Sequence, residues 1–211
     1  MEENLSECPT DVLSGTHVLE LRRLLASAIN RNTIHELRQN IGCLCGQLKK
    51  QEPGVWRRVV PSPTPLYIFN GKSIKHLVDF GTIVIAGGGG GIPAYNLDDG
   101  SLEGLDGVID KDMTAALLGR IIKAQELFII TDVDNICLNF KTDSQEIIQD
   151  TTAGDIETWL KAGHFWRGSM EPKIRSALYF LKHHGEEVVI TSIDNIEKAI
   201  QKQAGTRILK N

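Results

Sequence analysis

Apolar positions along this chain follow two rhythms, and the switches between them outline its elements. Leu21, Leu24, Leu25, Ala28 and Ile29 keep the three- and four-residue spacing of one helical face. Asn30 and Asn32 interrupt that face, and Thr33 with Glu36 has the spacing of a capping box for a second helix running to about Lys50. These two helices, over 16–48, make up a helical N-terminal segment, 1–50, with no constellation that suggests chemistry. Beyond it the pattern changes. A Pro-punctuated loop, VVPSPTP, precedes a helix over 71–79, and TIVIA (82–86) reads as a strand. A polar turn (Asp98, Asp99, Gly100) leads to a helix from Asp112 onward, on which Ala115, Leu118, Ile121 and Ile122 share a face. ELFIITDVD is a near-continuous apolar run, the pattern of a strand buried on both faces. Helices over 153–162, 170–183 and 194–203 alternate with the strand EVVIT, and TRILK closes the chain as an edge strand. Strands alternating with helices predict an α/β domain with a largely parallel sheet over 51–211.

Five consecutive glycines, Gly87–Gly91, directly follow the first of these strands. Glycine costs about 0.5–1 kcal/mol relative to alanine inside a regular element, so a run of five is either flexible linker or backbone that must approach something closely. Open parallel sheets bind ligands at the carboxyl ends of their strands, where this loop falls. Unobstructed backbone N–H groups there form a cradle for phosphate or another anion. Ile92 and Pro93 stiffen the loop's exit. The run lacks the G-x-G-x-x-G spacing of a dinucleotide fingerprint, and NGKS at 70–73 lacks the upstream glycine of a P-loop, because position 66 is Leu.

Composition narrows the class. The chain has 211 residues, 41% hydrophobic and 24% charged, an ordinary globular balance. Its net charge of −4 argues against a nucleic-acid or anionic membrane surface. No apolar run approaches the roughly 20 residues that span a bilayer. The acidic start MEENLSECPTD has no signal-peptide character, and Cys8, Cys43, Cys45 and Cys137 have neither CxxC nor metal-site spacing. A cytoplasmic location with reduced thiols is expected.

Three short stretches carry candidate chemistry. VIDKD (108–112) sets Asp110, Lys111 and Asp112 where a strand gives way to a helix; the plain alternative is an acidic N-cap, Asp110 or Asp112, beside a solvated lysine. TDVDN (131–135) places two carboxylates after a strand, where Asp and Asn also serve turns. In GSMEPKI, Ser169 is a natural N-cap, and Met170, Ile174, Ala177, Leu178 and Leu181 form one stripe. Lys173 then lies in the first turn, where the helix dipole penalises a cation by about 0.3–1 kcal/mol. A bound phosphate at that N-terminus removes the conflict. Exposure of the lysine to solvent is the competing explanation. His164 reads as a loop or core histidine, and His183 and His184 suit a helix C-terminus.

WRRVVPSPTP, IAGGGGGIPAY, GVIDKDMTAALLG, FIITDVDNICLNF, AGHFWRGSMEPKI and GTRI, in that order from about residue 52 to 211, together resemble carbamate kinase, of the amino-acid kinase superfamily. The resemblance implies a three-layer α/β/α sandwich on a mainly parallel sheet, commonly homodimeric, with the nucleotide held by the C-terminal half. It implies reversible phosphate transfer between ATP and carbamate, giving ADP and carbamoyl phosphate, in arginine- or allantoin-type catabolism. By the same likeness, Lys111 and Lys173 contact the transferring phosphates and Asp112 orients the lysines as the third catalytic residue. Gly87, Gly88, Gly89, Gly90 and Gly91 line the phosphoryl path, and Asp110, Thr131, Asp132, Asp134, Ser169 and Met170 lie by the nucleotide. Mg²⁺ is carried by phosphate oxygens, with no direct protein ligand implied. Family members begin with a strand and a GGN-type loop followed by an HGNG-type loop, and neither string occurs here. The expectation is therefore an N-terminally truncated member. Its alternatives are a catalytically weak ATP-binding remnant, or an interaction subunit whose site a partner chain completes.

Overall fold

The computed structural model describes residues 48–52, 55–58, 60–105, 107–140, 142–165 and 169–211. The expected helices over 16–48 fall, except for Leu48, outside them. Where the second helix was expected to reach Lys50, strand β1 (Leu48–Glu52) instead pairs antiparallel with β2 (Val55–Arg58), Lys50 opposite Trp56. The described chain groups into two compact units. One takes in the residues up to Leu66 together with Gly91–Ile109, the other Tyr67–Gly90 with Asp110–Asn211.

In the first unit, β3 (Ala94–Asn96) and β4 (Leu102–Gly104) form a second antiparallel hairpin. The polar turn read at 98–100 closes it. The Asp99 carboxylate accepts from the Ser101 backbone N–H at 2.9 Å and its hydroxyl at 2.6 Å, and Gly100 adopts φ +81°, a conformation that suits glycine.

The second unit is α/β. Helix α1 (Gly71–Asp79) packs on α2 (Lys111–Ile122). The main sheet has the order β5–β9–β10–β8, with β5 (Glu126–Thr131), β8 (Asp150–Thr152), β9 (Glu187–Ser192) and β10 (Thr206–Leu209). β5 runs parallel to β9 and β10 parallel to β8, while β9 and β10 are antiparallel. A small hairpin of β6 (Ile136–Leu138) and β7 (Glu146–Ile148) lies between β5 and β8 in sequence. Helix α3 (Ala153–Ala162) follows β8, and α4 (Met170–His183) precedes β9. The core joins α4 to the sheet through Ile174, Ala177, Phe180, Val188, Ile190 and Ile208.

Four expectations need correction. TRILK is not an edge strand: β10 sits between β9 and β8, with Thr206 and Ile208 fully buried. Arg207, on the alternate face, is neutralised by Glu187 at 2.7 Å. Among the described strands the edges are β5 and β8, and β5 is only partly buried; Ile129 is covered while Ile130 is exposed, and it is β9 that is buried at every position. TIVIA forms no strand, because an extended segment needs a ladder and no described residue supplies one to 82–86. Ile83 and Ile85 stand 95% and 100% exposed. The last helix is also shorter than 194–203, a 3₁₀ turn at Ile193–Asn195 running into α5 (Ile196–Ile200).

On α2 the buried stripe is Thr114, Ala116, Leu117 and Gly119 rather than the Ala115–Leu118 face. The reason lies on α4. A Cβ on Gly119 would stand 2.6 Å from the Phe180 ring, so the helices meet along α2's small residues.

Candidate functional site

Short turns at 123–125 and 184–186 connect α2 to β5 and α4 to β9. At about 1.5 Å per helical residue and 3.3 Å per strand residue, the paired elements have similar lengths, near 20 Å. Each helix therefore runs back along its strand and begins at the strand's carboxyl end. Because β5 and β9 are parallel, with Thr131 in register with Ser192, both helix N-termini and both strand ends share the edge where parallel sheets bind ligands.

At α2 the cap is Asp110. Its carboxylate accepts from the Met113 N–H at 2.9 Å, which resolves the choice between Asp110 and Asp112 and engages the Asp110 side chain in the helix itself. Lys111 is exposed and forms no ion pair among the described residues. Asp112, one residue on, reaches α4: its Oδ2 accepts from Lys173 Nζ at 2.9 Å, the two side chains being 12% and 11% exposed. The cation at the unfavourable end of α4 is thus compensated by a carboxylate of this chain. Ser169 stands at the N-cap position, but its side chain makes no cap hydrogen bond, and Met170 opens the helix half-buried.

The glycine run lies against the same end of α2. Gly87, Gly88 and Gly90 adopt φ of +83°, +49° and +125°, and the Gly90 N–H donates to the Gly87 carbonyl at 3.0 Å, closing a turn. Cβ atoms at Gly88 and Gly89 would meet nothing within 4 Å, so the space beside the turn is open. Gly91, at φ +89°, begins the stretch that belongs to the other unit. The buried hydroxyl of Thr114 donates to the Gly90 carbonyl at 3.0 Å and ties turn to helix.

A second cluster occupies the end of β5. Thr131 Oγ1 donates to the exposed Asp132 carboxylate at 3.0 Å. Asp134 Oδ1 accepts from Ser192 Oγ at 2.5 Å and from Asn195 Nδ2 at 2.8 Å. No hydrogen bond or ion pair links the two clusters among the described residues. Thr114, Ser192 and Asn195, which hydrogen-bond to the expected residues Gly90 and Asp134, were not legible as their partners. A threonine or serine needing an acceptor is visible in sequence, but its partner here lies 24 or 58 residues away. A pocket of about 470 Å³, lined by residues that include Asn139, Phe140 and Phe165, contains none of the expected site residues. His164 there hydrogen-bonds Asn139 at 2.9 Å.

The arrangement suits an anionic, phosphate-bearing ligand: two helix N-termini, an exposed lysine, a lysine held by a carboxylate, and a glycine turn beside open space. Among the described residues, no three His, Cys, Asp or Glu side chains converge to hold a metal ion. None of the described helices is long and apolar enough to cross a membrane.

A family model described as the amino acid kinase family matches residues 11–192. The chain belongs to that family. The match begins well upstream of residue 52, where the quoted motifs start. Among proteins similar to this amino acid kinase family chain is carbamate kinase of Staphylococcus epidermidis, 43% identical over 156 residues, 74% of this chain and 50% of the relative. Carbamate kinase of Thermoplasma acidophilum is 38% identical over 177 residues, 84% of this chain and 56% of the relative. The solved structure of carbamate kinase from Giardia lamblia bound to AMP-PNP superposes with a TM-score of 0.73 at 36% identity, covering 86% of this chain and 57% of that one. The chain spans about half the length of the curated relatives it matches.

Proposed function

We propose that this chain handles the nucleotide in a carbamate kinase-type phosphotransferase, moving a phosphoryl group between ATP and carbamate. In one direction a carbamate oxygen forms a new bond to the γ-phosphorus while the bond to the β,γ-bridging oxygen breaks, giving carbamoyl phosphate and ADP. No proton changes hands, so the reaction asks for no general base and is met by positioning and charge neutralisation. The observation that carries the reading is the Lys173–Asp112 pair, which fixes an ammonium between the N-termini of two helices. Lys111 supplies a second cation, and backbone N–H groups of the Gly87–Gly90 turn donate hydrogen bonds to phosphate oxygens as negative charge develops. Asp110 caps and orients α2; Thr131, Asp132 and Asp134 border the nucleotide, as do Ser169 and Met170 at the start of α4. Further neutralisation of the phosphates would come from Mg²⁺ carried in with the nucleotide. The similarity to carbamate kinases, and the AMP-PNP bound to the Giardia lamblia protein, support this reading. A cytoplasmic place in arginine- or allantoin-type catabolism and a homodimeric state belong to it as well.

The test is ATP formation from ADP and carbamoyl phosphate with Mg²⁺, beside Lys173→Ala. Loss of one such charge-stabilising group costs roughly 100–1,000-fold in rate. Turnover unchanged in the variant rejects the assignment. A second reading, an ATP-binding module that needs a partner chain to act, is favoured by the exposure of Phe80, Ile83 and Ile85. ADP that raises the melting temperature without supporting turnover selects it.

A further inference from the structure

The geometry points to Thr114 as a positioning residue of the phosphate site: its hydroxyl holds the Gly87–Gly90 turn against the first turn of α2. The inference rests on the proposed phosphate role of that turn. Thr114 is buried, and its Oγ1 lies 3.0 Å from two carbonyl oxygens, those of Gly90 and Asp110. A hydroxyl has one proton to donate. The Asp110 carbonyl already accepts the Thr114 backbone N–H at 3.0 Å, so it is satisfied without the side chain. The Gly90 carbonyl is therefore the acceptor for which the hydroxyl matters.

The methyl group serves the other end of the same turn. The Cγ2 atom of Thr114 lies 3.6 Å from where a Gly87 Cβ would stand, in ordinary contact distance of that backbone. One threonine thus touches the first and last residues of a turn whose own closing bond is Gly90 N–H to Gly87 carbonyl. Glycine backbone has more conformational freedom to lose than any other. A tether from a helix that also carries Asp110, Lys111 and Asp112 orders the turn before a phosphate arrives and fixes its amides relative to Lys173. That arrangement is preorganisation: the ordering cost is met in folding rather than at the moment of reaction.

The test compares Thr114→Val, which keeps the shape and removes the hydroxyl, with Thr114→Ser, which keeps the hydroxyl, and with Lys173→Ala. In ATP formation from ADP and carbamoyl phosphate, Thr114→Val is expected to lower kcat about 10–100-fold with KM for ADP changed less than about threefold. Thr114→Ser should recover most of the rate. Amide hydrogen exchange gives a readout independent of turnover: Mg-ATP slows exchange at Gly88 and Gly89 in the wild type and Thr114→Ser, and not in Thr114→Val. Thr114→Val with wild-type kcat or wild-type protection, while Lys173→Ala is inactive or does not bind, overturns the positioning role and leaves the phosphate site standing. Lys173→Ala indistinguishable from wild type, or a wild type that neither turns over nor protects those amides, refutes the site and the inference with it.

Discussion

Removing the carboxylate of Asp112 should destabilise this protein more than removing the ammonium of Lys173, although the two form one ion pair. Both residues sit in the first turn of a helix. The dipole there favours an anion and disfavours a cation by about 0.3–1 kcal/mol. Asp112→Ala strands an 11%-exposed ammonium at the wrong end of α4, whereas Lys173→Met leaves a carboxylate where α2 welcomes it. Breaking a fully buried pair costs about 3–5 kcal/mol and an exposed one about 0–1 kcal/mol. At this burial, Asp112→Ala should cost about 2–3 kcal/mol and Lys173→Met about 1–2 kcal/mol. The double variant, with no charge left unpaired, should be less destabilised than the sum. For a chain of this size, the larger cost lowers the melting temperature by about 4–12 °C. Thermal unfolding followed by far-ultraviolet circular dichroism measures all four proteins. Additive effects, or Lys173→Met costing more than Asp112→Ala, would refute both the coupling and the dipole argument.

Three further outcomes follow from the packing and charge. Gly119→Ala should destabilise by about 1–3 kcal/mol, because the added Cβ falls 2.6 Å from the fully buried Phe180 ring; an unchanged melting temperature shows that α2 and α4 do not meet there. Thr206→Val should cost about 1–3 kcal/mol, since its buried hydroxyl accepts from the Ile136 N–H at 2.8 Å and donates to the Ile148 carbonyl, and urea denaturation reads the loss. The Arg207 guanidinium, donating to Glu187 at 2.7 Å, holds that carboxyl below its ordinary value of 4.5, against the opposing effect of burial. A carboxyl lowered in the folded state contributes stability above its unfolded value, and that contribution is lost as pH falls through the folded one. Stability should therefore drop below about pH 4.5 less steeply in Glu187→Gln than in the wild type, and parallel acid limbs would count against the pairing.

Local rhythm alone was enough for several elements. The helices at 71–79, 153–162 and 170–183 stand where their spacing placed them, because the pattern that sets each lies within the segment or directly beside it. Thr152, for instance, caps α3 by accepting from the Asp155 N–H at 3.2 Å. The raw materials of the candidate site were legible too: a glycine run after an apolar stretch, the DKD triplet, and a lysine at an unfavourable helix end. Their grouping was not. That Asp112 answers Lys173 depends on a contact 61 residues apart, and that Thr114 reaches Gly90 on one 24 residues apart. Strands were harder still, since a strand exists only through its neighbours. TIVIA has the residues of a strand and remains unpaired, while TRILK, marked for an edge, was drawn into the middle of the sheet. The sequence determined which segments could be helix or strand and which side chains could meet an anion. Tertiary structure decided which strands found partners and which charges met, because hydrogen-bond ladders and ion pairs belong to two segments at once and neither segment encodes the other's position.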